Sequence, residues 1–199
     1  MRDMLKPTMA LFLICLIVTA ALAFTYNITK DIIAERAAID AENARKEVLA
    51  DADSFRKMEN IEDIIGDNPE LKVIREIYVG LKDDQELGYV FSIVCKGYGG
   101  EMNITAGIDN DGKVTGVKIG DHSETAGLGS KATDPKFLSQ FKDITPKGPL
   151  KIIKGKKEKP EEINAVSGAT VTSTTITNAV QAALNMSAKL GNEGGGSSE

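Results

Sequence analysis

Asn164-Ala165-Val166-Ser167-Gly168-Ala169-Thr170, with Val171-Thr172-Ser173 behind it, is the stretch on which the reading of this chain turns. It lies between a lysine-rich, proline-bounded segment and a long amphipathic one, which predicts a strand-to-helix turn. Five of the eight residues after Thr170 carry hydroxyls: Thr172, Ser173, Thr174, Thr175 and Thr177. Gly168 and Ala169 leave the backbone bare, so that an anion or a large planar ligand can come close. The first amides of the following helix favour a phosphate there. An ordinary Ser/Thr-capped helix N-terminus accounts for the same residues. By themselves they leave both readings open.

Downstream, Ile176, Val180, Ala183, Leu184 and Ser187 follow helical spacing, predicting a helix to about Leu190 with Ser173 or Thr174 as N-cap. Gly191 is expected to end it, and residues 191–199 read as a flexible tail. Upstream, residues 71–79 and 86–95 are rich in β-branched and aromatic residues, with a turn over 82–85. Two further strands, 102–108 and 113–119, flank Asp109-Asn110-Asp111-Gly112, a hairpin signal because Asp-Gly suits positive φ. The loop from His122 to Lys131 holds an acid, a base, hydroxyls and two glycines at a strand end, which suits a site loop or a simple polar turn. Residues 135–141 predict a short helix capped by Asp134, and the lysines between 142 and 159 a solvated loop. A strand-rich middle with helical ends predicts the α+β class, an antiparallel or mixed sheet with flanking helices.

Residues 7–29 form a run of 23 without charge, long enough to supply most of a membrane span. Arg2 and Lys6 precede it, which puts the N-terminus in the cytoplasm and the remainder outside. A cleaved signal peptide competes, since Ala21-Leu22-Ala23 fits a cleavage site; the length of the apolar run favours a retained anchor. Residues 30–57, rich in Ala, Glu, Lys and Arg, predict one helix, followed by a helical turn stopped by Gly66 and Pro69. The expected organisation is therefore an anchor over 1–29, a helical membrane-proximal segment over 30–66, a domain over 67–190 and the tail. A net charge of −5 argues against nucleic acid as partner. Cys15 and Cys95 lie in segments too different to form a disulfide, and no metal-ligand spacing occurs.

Ser167-Gly168-Ala169-Thr170 followed by Val171-Thr172-Ser173 resembles the flavinylation motif of the FMN-binding domains in Rnf and Na+-pumping NADH:quinone reductase complexes. His122-Ser123-Glu124-Thr125-Ala126-Gly127-Leu128-Gly129 resembles the same family's H-x-E-T-x-G-L-G signature. Lys96-Gly97-Tyr98-Gly99-Gly100 resembles its glycine-rich turn, and the three stand in the family's order. The resemblance implies FMN joined through its phosphate to Thr170 by a phosphoester, attached by a separate flavin transferase from FAD with magnesium. Thr170 is then an attachment point and no residue is catalytic. Glu124, Thr125, Leu128, Gly129, Ser167, Gly168, Ala169, Val171 and Thr172 are implied to lie near the flavin. Asn164 stands where the family pattern usually opens with Asp.

A short chain with one anchor and one flavin domain is more similar to the G component of an Rnf-type complex than to the longer C component of the quinone reductase. The implied function is that of an electron carrier in a membrane-bound, ion-translocating ferredoxin–NAD oxidoreductase, with other membrane proteins of the complex as partners. The implied place is a bacterial or archaeal cell membrane, with the flavin domain outside. Alternatives are a carrier like that C component and a membrane-tethered flavin-binding or sensor module without redox turnover. A Ser- or Thr-nucleophile hydrolase with His122 as base is a weaker rival, because Ser167 lacks the G-x-S-x-G elbow.

Overall fold

A computed structural model describes residues 2–194, and the side chains of residues 6–191. The chain divides between Ala41 and Glu42 into two compact units. Helix α1 (Arg2–Val48) runs across that division. Within the first unit it carries an apolar, exposed stretch long enough to cross a membrane. Thr25 and Thr29 turn their hydroxyls back onto the carbonyls of Ala21 and Thr25, which hides these polar groups along an apolar helix.

The second unit is built on an antiparallel meander of five strands in chain order: β1 (Ser54–Lys57), β2 (Ile74–Lys82), β3 (Gln85–Lys96), β4 (Glu101–Asp109) and β5 (Val114–His122). The β2–β3 connection is the two residues Asp83 and Asp84, both at positive φ, as a twisted two-residue hairpin demands. The β4–β5 turn closes at Gly112 with φ of 75°, as its Asp-Gly pair predicts. Residues 61–65 form the short helix α2 and residues 71–73 a 3-10 turn. Helix α3 (Pro135–Leu138) follows β5, and a separate parallel pair, β6 (Lys151–Ile153) and β7 (Glu162–Asn164), leads into α4 (Thr170–Gly194). The class is α+β, with the sheet antiparallel and the helices at its flanks.

Strand register sets two rows across the sheet. One runs Ile77–Phe91–Ala106–Val117 and faces α4, whose Ile176, Ala179, Val180, Ala183 and Met186 complete the main core. The other runs Tyr78–Val90–Gly107–Gly116 on the opposite face. There the last residues of α1 lie, with Val48, Leu49 and Val90 forming a second small core. A Cβ on Gly107 would overlap the carbonyl oxygen of Val48, and one on Gly80 would overlap the Leu49 side chain. The Thr115 hydroxyl donates to that same Val48 carbonyl, capping a helix end whose last carbonyls lack intrahelical partners.

Several elements differ from the sequence reading. Helix α1 stops at Val48, and Ser54–Lys57 is an edge strand rather than the end of a helix. Its pairing with Tyr78–Leu81 outweighs local helix propensity. Helix α4 begins at Thr170, so Ser173 and Thr174 lie inside its first turns and are not the N-cap. At its other end the helix continues past Gly191 to Gly194, since a single glycine only weakens a helix already packed along its length. The expected tail beyond residue 194 lies outside the described residues. Asp134 makes no side-chain cap; its carbonyl receives the Phe137 and Leu138 amides instead.

Candidate functional site

Three loops meet at the N-terminal end of α4: the Gly97–Gly100 turn after β3, the segment following β5, and the 165–169 loop after β7. The last is fixed from within. The Ala169 amide donates to Val166 O (3.0 Å), and the buried Ser173 hydroxyl accepts from the Val166 amide (3.1 Å) while donating to Ala169 O (2.8 Å). Gly168 sits at φ of 81°, a conformation open to glycine at no steric cost. The chain thus turns tightly from β7 into α4 and brings Thr170, half-buried, to the head of the helix. Amides in this first turn have no acceptor one turn back and point outward.

A cavity of about 370 Å³ opens there, lined by Tyr98, Thr125, Leu128, Gly129, Gly168, Ala169, Thr170, Val171 and Thr172. That volume lies near the lower end of small-molecule sites, ~300–1,000 Å³. Its rim is unusual for a surface: Tyr98 is 75 % exposed, Val171 54 % and Leu128 51 %. Large apolar side chains left uncovered around a cavity mark a binding surface for something equally apolar. The cavity thus offers helix amides and a threonine hydroxyl together with an apolar rim. A flavin nucleotide carries both a phosphate and a flat apolar ring, so the residues present fit the expected cofactor.

Of the residues named from sequence, Thr125, Leu128, Gly129, Gly168, Ala169, Val171 and Thr172 line the cavity with Thr170. Glu124 and Ser167 are not on its wall. Ser167 stands exposed on the loop. Glu124 is buried behind the wall, 9 % exposed. One carboxylate oxygen accepts from the amides of Tyr98 (2.8 Å) and Gly99 (3.3 Å), the other from the buried Thr172 hydroxyl (2.9 Å). Space for it exists only because Gly97 and Gly129 lack side chains; a Cβ on either would overlap a carboxylate oxygen. Thr175 adds a second tie from α4 to the same turn, donating to Lys96 O (3.2 Å).

Tyr98 is the lining residue the sequence reading passed over. Its signal was present: an aromatic side chain between two glycines in a turn has no local packing partner. His122, exposed at the end of β5, accepts the Glu124 amide on Nδ1 (3.3 Å), which occupies one ring nitrogen with backbone rather than with a hydroxyl nucleophile. Asn164 uses its Oδ1 to accept the Gly155 amide (3.0 Å), a bond that an aspartate would make equally well. Among the described residues no cluster of His, Cys, Asp and Glu could hold a metal ion. Both cysteines are free, and burial pushes the Cys95 thiol up to about 11.

Comparison with known proteins finds two family models on the chain: the FMN-binding domain over residues 97–185 and the RnfG N-terminal region over residues 1–48. The G component of the Na(+)-translocating ferredoxin:NAD(+) oxidoreductase complex of Acetobacterium woodii is 34 % identical over 189 residues, covering 91 % of this chain and 90 % of that protein. The G component of the proton-translocating ferredoxin:NAD(+) oxidoreductase complex of Clostridium ljungdahlii is 30 % identical, covering 89 % and 88 %. Among solved structures, Shewanella oneidensis NqrC superposes with a TM-score of 0.52 at 20 % identity, covering 71 % of this chain and 84 % of that one, which shows a shared fold.

Proposed function

From the premise that the chain belongs to the RnfG family of ion-translocating oxidoreductase complexes, carrying that family's FMN-binding domain, we propose that it is the electron-carrier subunit of an Rnf-type ferredoxin–NAD oxidoreductase, working through FMN held covalently on Thr170. When bound, FMN supplies reversible one- and two-electron chemistry, and the protein supplies position and shielding. What supports the reading is the cavity at the head of α4. There Thr170 presents a hydroxyl beside helix amides, Gly168 and Ala169 leave room, and Tyr98, Leu128 and Val171 form an apolar rim.

In this reading the Thr170 oxygen bonds to the flavin-side phosphorus of FAD, the phosphoanhydride bond breaks, AMP leaves, and the hydroxyl proton is released. A flavin transferase with magnesium carries out that step. The phosphoester tether keeps the cofactor from being lost outside the cell. The first helix anchors the chain in a bacterial or archaeal cell membrane, with Arg2 and Lys6 on the cytoplasmic side and residues 67–190 outside, among the complex's other membrane proteins.

Intact mass of the full chain, produced with a flavin transferase, tests the attachment. A gain of one FMN less one water is expected, abolished in Thr170→Ala and present in Ser167→Ala. The same gain surviving in Thr170→Ala would refute the assignment.

A further inference from the structure

Glu124 bridges two elements far apart in the chain: the turn bearing Tyr98 and the first turn of α4, which begins with Thr170. Its two oxygens divide the task. One holds the Tyr98 and Gly99 amides; the other holds the Thr172 hydroxyl. A carboxylate suits both, because it accepts at either oxygen while the backbone and threonine partners donate. Gly97 and Gly129 close around it, so that a Cβ on either would overlap a carboxylate oxygen. The Tyr98 ring, by contrast, is largely exposed and lies on the wall of the cavity that Thr170 also lines. An exposed aromatic on a turn whose backbone is pinned from behind is a presented group: the pinning costs freedom that the ring itself does not repay by packing within the fold.

We propose that Tyr98 is the aromatic residue that packs on the isoalloxazine ring, and that Glu124 is a positioning residue acting through it by clamping the Tyr98 turn to the helix that carries the tether. The inference rests on the flavin reading above. It assigns Glu124 no contact with the cofactor. The ring chemistry is then shaped by a residue outside the attachment motif, whose turn is held by one buried carboxylate.

Flavin emission and amide hydrogen exchange on the full chain in detergent together test this. A phenol or indole in contact with a flavin quenches its emission, because the excited ring takes an electron from it and then returns it. Emission per FMN, counted by intact mass, is expected to rise severalfold in Tyr98→Leu and to stay low in Tyr98→Trp. Glu124→Ala is expected to raise it as well, and Glu124→Gln less, since the glutamine oxygen still accepts both turn amides. The double variant Tyr98→Leu/Glu124→Ala should emit no more than Tyr98→Leu alone, the non-additivity of two residues on one path.

Unchanged emission in Tyr98→Leu with FMN present on Thr170 would overturn the role of Tyr98. A double variant brighter than Tyr98→Leu would overturn the claim that Glu124 acts through it. If the chain carries no FMN, the flavin reading fails by itself, and exchange of the Tyr98 and Gly99 amides decides the clamp alone. Protection in the parent and in Glu124→Gln, with loss in Glu124→Ala, supports it; equal protection in all three overturns it. Should Glu124→Ala not fold, Glu124→Asp, whose carboxylate stops one methylene short of the turn, takes its place: loss of that protection supports the clamp, and protection equal to the parent overturns it.

Discussion

On one face of the sheet the row Ile77–Phe91–Ala106–Val117 meets α4; on the other, Tyr78–Val90–Gly107–Gly116 meets the end of α1. The first interface is filled from both sides, by Ile77 and Phe91 on the sheet and by Ile176, Val180 and Met186 on the helix. In the second the sheet is bare at Gly80, Gly107 and Gly116, and the helix end brings Val48 and Leu49. The inner face is therefore held by side-chain volume. The outer face is held by close approach of backbone to backbone, with a polar rim. Removing atoms should hurt the first, and adding them the second.

The largest effect is expected from Phe91→Ala. Phe91 is fully buried in the inner row, and loss of such a ring costs ~3–5 kcal/mol once the residual cavity is counted. Urea unfolding of residues 42–199, a compact unit, measures it. A loss below ~1 kcal/mol would mean the inner face does not depend on volume.

Next is Gly107→Ala, which adds one methyl where the Val48 carbonyl already sits. Overpacking of this kind costs ~1–3 kcal/mol. Hydrogen exchange should quicken at residues 45–49 while the flavin loading proposed for Thr170 stays as in the parent. A fall in flavin loading equal to the fall in stability would show the two faces to be one cooperative site, and the contrast between them would fail.

The smallest effect belongs to the outer rim. There Lys57 bonds Glu76, Tyr78 donates to Glu76 (2.9 Å), and the Arg45 guanidinium lies 4.2 Å from the Tyr78 ring centroid. Lys57's hydrogen bond holds the Glu76 carboxyl below its ordinary value of 4.5, with Tyr78 adding to it against the effect of burial. A carboxyl lowered by folding contributes stability above its unfolded pKa and loses it as pH falls through the folded one. The pair is largely exposed, so Glu76→Gln should cost under ~1 kcal/mol at neutral pH. That difference between parent and variant should shrink toward zero as the solution is acidified below the carboxylate range. A difference that persists in acid would assign it to packing rather than charge.

The elements that could be read locally are those with a local cause. Asp109-Asn110-Asp111-Gly112 marks its hairpin because Gly112 needs positive φ, and the apolar spacing of α4 marks the face it buries. The edge strand Ser54–Lys57 was not legible, since four residues have no period of their own and take their form from β2. The start of α4 was misplaced toward Ser173 because its hydroxyl serves the Val166 amide, seven residues back, which propensity does not register. Within the site, the small and apolar lining residues of the 125–129 and 168–172 segments were legible as motifs. The actual work of Glu124 was not.

By itself the sequence determined the kinds of group available: a 23-residue uncharged run, a bare hydroxyl-bearing turn ahead of a helix, and glycine-rich loops with one acid and one aromatic. Tertiary structure decided what they do together. Glu124 and Thr172 are 48 residues apart, and Val48 and Thr115 are 67 apart. Such bonds exist only once distant segments have been brought together, and for Thr115, on β5, a one-residue slip in register would turn its hydroxyl to the other face of the sheet.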